Sequence, residues 1–265
     1  MFINNFDPVA IEVFSIEIRW YSLAYIVGIL LGWALSKSFF ISDLKIKEKF
    51  DDYITYLILG LIIGGRLGYV FFYNLNFYLD NLLDIFKIWQ GGMSFHGGLI
   101  GIIIATILFA KKNSHNVFNY LDIVSYVAPI GIFFGRIANF INSELYGSET
   151  SVAWAVKFVQ IDNLYRHPSQ LYEAVLEGLL LFLILLYFKN KSFAKIPGFI
   201  SGLFLFFYSI FRFIIEFYRL PDEQLGYLIF NLTMGQILSF FFLVVGCYLI
   251  FTKYENKKDT ESVIR

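Results

Sequence analysis

The sequence predicts an all-α polytopic membrane protein, and three observations carry that reading. First, 58% of the 265 residues are hydrophobic, 32 are phenylalanine and only 16% are charged, whereas soluble domains average about 45–50% apolar residues. A soluble chain of this length could not bury so much apolar surface. Second, seven segments approach the roughly 20 apolar residues that cross a bilayer as a helix. Third, the basic residues segregate between alternate loops, as they do in multi-span proteins. The formal net charge of zero identifies no partner, and no nucleic-acid role is expected.

The seven expected transmembrane helices run roughly over residues 19–40, 53–73, 94–110, 117–141, 170–188, 198–218 and 229–251. The third is short and glycine-rich at its start. No internal repeat and no soluble domain interrupt them, so residues 1–265 read as one integral membrane domain. The first fifteen residues lack a basic start and a compact apolar core, so no secretory signal peptide is expected. The single cysteine, Cys247, leaves no internal disulfide and no cysteine-ligated metal site. Its setting, LVVGC, resembles a lipidation box but lies inside an apolar run and reads as helix packing.

Lysine and arginine set the orientation. The loop after the first span carries Lys37, Lys45, Lys47 and Lys49; the same side then holds Lys111 and Lys112, Lys189, Lys191 and Lys195, and the tail with Lys253, Lys257, Lys258 and Arg265. Those thirteen face five on the other side: Arg19, Lys87, Lys157, Arg166 and Arg219. The richer side is expected to be cytoplasmic, with the N-terminus outside and the C-terminus inside. Two outer features follow. In residues 74–90, Asp80, Asp84 and Lys87 recur at i, i+4 and i+7 opposite Leu79, Leu82, Leu83 and Phe86. That pattern suits an amphipathic helix in the outer interface or a plain outer loop helix. Residues 143–168 form the longest outer loop, expected to be a small head.

Ionisable residues within spans are costly and mark function by default. Here they fall at one level. Arg66 lies in the outer part of span two, His96 at the outer start of span three, and Arg136 with Asn139 near the outer end of span four. Span five starts outside after His167 with Gln170, Tyr172 and Glu173; span six carries Tyr208, Arg212 and Glu216 in its outer half. Tyr21 opens span one on the same side. The inner halves are nearly bare, Asp122 being the main exception. Spacings of three (Arg136, Asn139) and four (Tyr208, Arg212, Glu216) put each set on one helix face. A packing ion pair could account for Arg212 and Glu216, but it leaves two further arginines unexplained.

Arginines at the level of the outer headgroups suit an anionic lipid, because guanidinium binds phosphate in bidentate fashion and stays charged when desolvated. The glycines around His96 (Gly91, Gly92, Gly97, Gly98, Gly101) let another chain or a ligand approach the backbone closely, and a helix start offers N–H groups to an anion. A neutral histidine can take a proton near neutral pH. No metal-type histidine spacing and no GxSxG elbow favour hydrolysis. The residues alone therefore point to a transferase or binder of anionic phospholipid. An anionic-lipid transporter is the main rival, although alternating access needs a polar route through the inner halves.

The motifs sharpen this. GRIANFINSELYG (135–147) closely resembles the signature of the bacterial prolipoprotein diacylglyceryl transferases, with Ala138 where the signature commonly has glycine. RWYSLAY (19–25), GGRLGYVFFYN (64–74), SFHGGLIG (94–101), RHPSQLYE (166–173) and FRFIIEFYRLPD (211–222) resemble the family's other motifs in the same order. The resemblance implies an inner-membrane enzyme, its site towards the outer leaflet. It would move the diacylglyceryl group of phosphatidylglycerol to the lipobox cysteine of a preprolipoprotein, the first step of lipoprotein maturation. The products would be a thioether and glycerol 1-phosphate, with no metal or organic cofactor expected. By motif, Arg136 and Arg212 would hold the headgroup and stabilise the departing phosphate. His96 would be the base for the thiol, with Glu216 or an arginine-stabilised thiolate as alternatives. Tyr21, Asn139, Glu144, Tyr208 and Glu216 would line or orient the site, and Gly97 and Gly147 would permit close approach. Arg66, His167 and Arg219 match motif positions in supporting roles, with Arg66 counted among the substrate-binding residues.

Overall fold

A computed structural model describes residues 1–14, 16–221 and 226–263. Asp222, which ends the last motif, and the tail residue Arg265 lie outside the described residues.

The chain opens with three short strands, β1 (Phe2–Asn4), β2 (Val9–Val13) and β3 (Ile16–Arg19), the last two paired as an antiparallel hairpin. Helix α1 (Trp20–Leu35) follows and runs on as a π turn over Ser36–Phe40. Helix α2 (Leu44–Tyr73) starts where the Asp43 carboxylate accepts a hydrogen bond from the Lys45 N–H at 2.8 Å, which satisfies one of the donors a helix start leaves open. Next come the short α3 (Leu75–Asp80), α4 (Phe95–Lys112) and α5 (Val117–Ile141). Strands β4 (Val156–Phe158) and β5 (Tyr165–Arg166) precede α6 (Ser169–Glu173), a π segment (Ala174–Leu180) and α7 (Leu181–Lys189). Helices α8 (Phe199–Ile215) and α9 (Met234–Val263) complete the chain.

The protein is mostly helical and spans the membrane several times. Among the described residues, five helical stretches are long and apolar enough to cross it: Trp20–Phe40, Leu44–Tyr73, Val117–Ile141, Ser169–Lys189 and Met234–Lys253. The other two expected segments are occupied by α4, of 18 residues, and α8, of 17. Large apolar side chains stay exposed along these helices, such as Leu59 and Ile63 on α2 and Ile100, Ile104 and Leu108 on α4. That surface is stable against lipid rather than water.

Contacts divide the chain into two units, Phe39–Leu121 and Met1–Ser38 with Asp122–Arg265. In the first unit, α2 and α4 meet through glycines. A Cβ on Gly64 would lie 2.7 Å from the Gly101 Cα, and one on Gly97 would lie 2.8 Å from the Gly68 Cα. Lipid offers no hydrophobic drive for helices to associate, so backbone-to-backbone packing of small residues supplies the attraction. The glycines of SFHGGLIG thus admit a neighbouring helix. Tyr53, fully buried, hydrogen-bonds Thr106 at 2.9 Å and packs on Tyr120 and Phe109, closing the other end of this unit.

In the second unit, α8 and α9 cross at Gly202 and Gly246, where a Cβ on Gly246 would come 2.8 Å from the Phe206 N. The Asp122 carboxylate of α5 accepts the N–H groups of Gly198 and Ser201 at 2.7 and 2.8 Å and so caps the start of α8. The residue that stood out in the bare inner halves therefore serves packing. Residues 143–168 contribute β4 and β5 to a small sheet in the order β1-β4-β5, with β1, from the start of the chain, parallel to β4. Phe140, Val156 and Phe158 form its core with Tyr146 and Leu171.

One expectation needs correction. Residues 74–90 do not form one amphipathic helix. The segment breaks into α3 and two 3₁₀ turns, Leu82–Phe86 and Ile88–Gln90, because Asn81 and Lys87 leave helical backbone angles. The carbonyls of this stretch turn instead to Arg66. Its guanidinium donates to Asp84, Ile85, Lys87, Gly91 and Gly92, at 2.5, 2.8, 3.4, 2.6 and 3.2 Å.

Gly64→Ala should force α2 and α4 apart and lower stability by about 1–3 kcal/mol, the usual cost of overpacking. Gly131→Ala, where an added Cβ meets nothing within 4 Å, should be near neutral. Thermal unfolding of the two variants in one detergent separates them; equal melting temperatures would mean that the glycines do not set the α2–α4 contact.

Candidate active site: a carboxylate between two arginines

Arg136 leaves α5 one and a half turns before its end, and Arg212 leaves the last turns of α8. Both reach the same carboxylate, that of Glu173 at the end of α6. Arg136 Nε lies 3.0 Å from Glu173 Oε2, and Arg212 Nη1 contacts Glu173 Oε1. Glu173 is wholly buried. One turn along, Glu177 approaches the same two guanidiniums at 3.9 and 3.8 Å. Between the two carboxylates the helix changes from α to π hydrogen bonding, a local widening often found at functional sites. Gly178 lets the widened turn close on α5, since a Cβ there would lie 2.7 Å from that of Phe133.

The rest of the arrangement holds these groups in place. Arg212 Nη2 pairs with Glu216 Oε2 at 2.8 Å, as the i, i+4 spacing predicts, and Arg219 approaches the same oxygen at 3.8 Å. The Thr233 hydroxyl donates to Glu216 Oε1 at 2.9 Å. Gly235 leaves room for this carboxylate, because a Cβ there would sit 2.6 Å from Oε1. On α5, Arg136 Nη1 donates to Asn139 Oδ1 at 3.4 Å, and Asn139 Nδ2 donates to Glu144 Oε2 at 3.0 Å. Asn142 also donates to Glu144, and Gln170 Nε2 donates to the Glu144 carbonyl at 2.6 Å. The polar run of GRIANFINSELYG is thus one hydrogen-bonded chain from Arg136 to the loop beyond the helix.

That loop turns sharply. Ser143 and Leu145 adopt left-handed backbone angles, with φ of 57° and 56°, conformations that cost non-glycine residues energy and cluster at functional sites. Gly147 ends it, donating its N–H to the His167 carbonyl at 3.0 Å. A Cβ on Gly147 would lie 2.5 Å from that carbonyl oxygen and 2.6 Å from that of Tyr218. Its close approach is to backbone.

The remaining expected residues distribute as follows. Tyr208 sits one turn before Arg212 and stacks on Phe204, with ring centroids 5.7 Å apart. Tyr21 packs against Tyr25 at 5.2 Å. His167 hydrogen-bonds Tyr172 through Nδ1 at 3.0 Å, and Trp154 donates to the same hydroxyl at 2.8 Å. Burial among these rings holds the His167 imidazole below its usual range. His96 lies exposed in the first turn of α4, in the unit of residues 39–121, beside the Ser94 cap that accepts the Gly97 N–H at 3.2 Å. Arg66 belongs to that unit too, and its carbonyl partners make it the brace of residues 84–92. Its five N–H groups are committed there.

The chain matches the family model of the prolipoprotein diacylglyceryl transferases over residues 8–252. The chain belongs to this family. Relatives named phosphatidylglycerol–prolipoprotein diacylglyceryl transferase support the same assignment. That of Rickettsia bellii is 51% identical over 257 residues, covering 93% of this chain and 95% of the relative. That of Rickettsia felis is 49% identical over 251 residues, covering 93% and 96%. That of Rickettsia typhi is 49% identical over 261 residues, covering 94% and 98%.

Within this transferase family member, Glu173 and Glu177 are the site residues that sequence reasoning missed. Glu173 was legible only as one polar group at the start of a span. Its i, i+4 relation to Glu177, two carboxylates in an otherwise apolar helix, was the available signal. Removing the charge at Glu173 deprives both guanidiniums of their nearest carboxylate, and breaking a buried pair from one side costs about 3–5 kcal/mol. Glu173→Gln should therefore lower the melting temperature markedly. Glu144→Gln, at the exposed end of the chain of bonds, should lower it far less. Melting curves that coincide would show that Glu173 does not organise the arginines.

Proposed function

We propose that the chain transfers the diacylglyceryl group of phosphatidylglycerol to the cysteine thiol of a prolipoprotein, the activity named in its relatives. The observation that carries the reading is the pair of arginines, Arg212 buried and Arg136 mostly so, converging on the buried Glu173 in a membrane-level site. Guanidiniums so held match the phosphodiester of an anionic headgroup, and a preorganised pair of cations stabilises charge that grows on the phosphate as it leaves.

The step has a definite balance. The thiolate sulfur bonds to the glyceryl carbon that carries the phosphate; the carbon–oxygen bond breaks, and its electron pair leaves with glycerol 1-phosphate. The thiol proton goes to a base, for which His96 is our assignment, since thiolate is the nucleophile. Glu216 is a poorer candidate because Arg212 and Thr233 engage its two oxygens. Arg136 and Arg212 bind the headgroup, while Asn139 and Glu144 keep Arg136 oriented. Tyr21 and Tyr208 line the site, and Gly97 and Gly147 serve it indirectly, through the close packing of their segments. Arg66 acts through the loop it braces.

The enzyme would act as one integral membrane domain of the bacterial inner membrane. Seven helices would cross it, with α4 and α8 completing the five long spans. The N-terminus and the head would lie outside, the C-terminus in the cytoplasm and the arginine pair at the outer leaflet. The acceptor would be the lipobox cysteine of a preprolipoprotein signal peptide. The compared relatives carry the transferase name, and the transporter reading is set aside.

Purified protein, phosphatidylglycerol and a lipobox peptide should yield a thioether adduct detectable by mass. Arg136→Lys and Arg212→Lys, which keep charge but lose the planar fork, should each lower kcat/KM by at least about 100-fold, roughly 2.7 kcal/mol. Near-normal turnover in either would refute the clamp. His96→Gln should lower kcat while KM for phosphatidylglycerol stays close to that of the native protein; unchanged kcat would remove His96 as the base.

A further inference from the structure

Glu177 is fully buried, yet the transfer as derived gives it no task. Its Oε2 lies 3.9 Å from Arg136 Nη2 and its Oε1 3.8 Å from Arg212 Nη1. Neither oxygen accepts a hydrogen bond among the described residues. Among the described residues, the charged and titratable groups around it are Arg136 from α5, Tyr208 and Arg212 from α8, Glu216 just beyond the end of α8, and Glu173 on its own helix. Its neighbours differ from it in kind. Glu173 is in direct contact with both arginines, and Glu216 is held by Arg212 and Thr233. Glu177 stands at the edge of ion-pair range from two cations and is hydrogen-bonded to neither.

Charge neutrality makes that difference consequential. Among the described residues, Arg136 and Arg212 face Glu173, Glu177 and Glu216, with Arg219 3.8 Å from Glu216, so the fully ionised cluster carries no excess positive charge before any substrate enters. A phosphodiester adds one negative charge inside a buried site, where an uncompensated charge is strongly disfavoured. Protonating Glu173 would break both of its ion pairs. Protonating Glu216 would weaken its hold on Arg212 and Thr233. Protonating Glu177 sacrifices only two contacts near 3.8 Å and removes one negative charge beside both guanidiniums, while Glu173 and Glu216 keep their hold on them.

We propose that Glu177 takes up one proton from solvent when the anionic headgroup enters, keeping the net charge of the cluster unchanged. Glu177 is thus a positioning residue. As a carboxylate it spaces the empty arginine pair; as a neutral acid it lets that pair close on phosphate. No covalent bond changes in this step, and the proton returns to solvent when the product leaves. The inference rests on the reading that the arginine pair receives phosphatidylglycerol.

Short-chain phosphatidylglycerol titrated into the wild-type protein in phosphatidylcholine nanodiscs tests it, in weak buffer with an indicator dye, from roughly pH 6 to 9. Uptake should approach one proton per bound headgroup at the alkaline end, and phosphatidylcholine as titrant should give none. Affinity should weaken by up to about tenfold per pH unit over the range where uptake is seen, because binding and protonation are linked. Glu177→Gln, which imitates the neutral acid, should bind with a flat pH profile and no uptake. Binding by the wild type without proton uptake overturns the inference but leaves the transferase reading standing. Failure to bind phosphatidylglycerol together with failure to form thioether overturns that reading instead. Uptake that persists in Glu177→Gln removes Glu177 as the site. Should that variant not fold, Glu177→Asp must shift the pH midpoint of uptake, and an unmoved midpoint counts against the assignment equally.

Discussion

A carboxylate clamped between two arginines at the level of the membrane is the constraint on which the site depends. Glu173 is wholly buried, and the guanidiniums on either side come from α5 and α8. Neither arginine could stay there alone. A cation at membrane depth needs a partner, and here the partner also fixes the spacing of the pair. Much of the surrounding architecture serves that end. The π segment turns Glu177 towards the same guanidiniums, Gly178 brings that segment onto Phe133 of α5, and Asp122 fastens the start of α8 to α5.

The same logic explains why the polar residues form chains. From Arg136 the bonds pass through Asn139 to Glu144 and then to Gln170. From Arg212 they pass through Glu216 to Thr233. Arg136 and Arg212 are each oriented by a group that is itself oriented, so the guanidinium planes are set before any ligand arrives. Preorganisation of this kind is what makes electrostatic stabilisation effective in catalysis, since little reorganisation remains for the reaction step.

What the sequence revealed followed from local periodicity. Among the described residues, five of the seven expected spans coincide with helices long and apolar enough to cross a membrane, because a hydrophobic run reports directly on burial in lipid. The Arg136–Asn139 and Arg212–Glu216 contacts follow from spacings of three and four. Partners distant in sequence left no such trace. Arg66 was visible as an arginine within a span, but backbone carbonyls carry no residue signature, so its role as a brace was not. The charged spacing at Asp80, Asp84 and Lys87 imitated a helix face, whereas Arg66 draws the intervening carbonyls out of helical register. Strand β1 has three residues and pairs with β4 more than 150 positions away, too short and too distant a match for any local pattern. Glu173 stood at the right level without a named partner, and Glu177 was hidden in an apolar run.

The role of the arginine pair is decided by where a lipid phosphate sits when it is bound. A structure of the protein in nanodiscs containing phosphatidylglycerol locates it directly. The account predicts phosphate oxygens within about 2.7–3.0 Å of guanidinium nitrogens of both Arg136 and Arg212. A phosphate bound elsewhere, with both arginines still closed on Glu173, would contradict it.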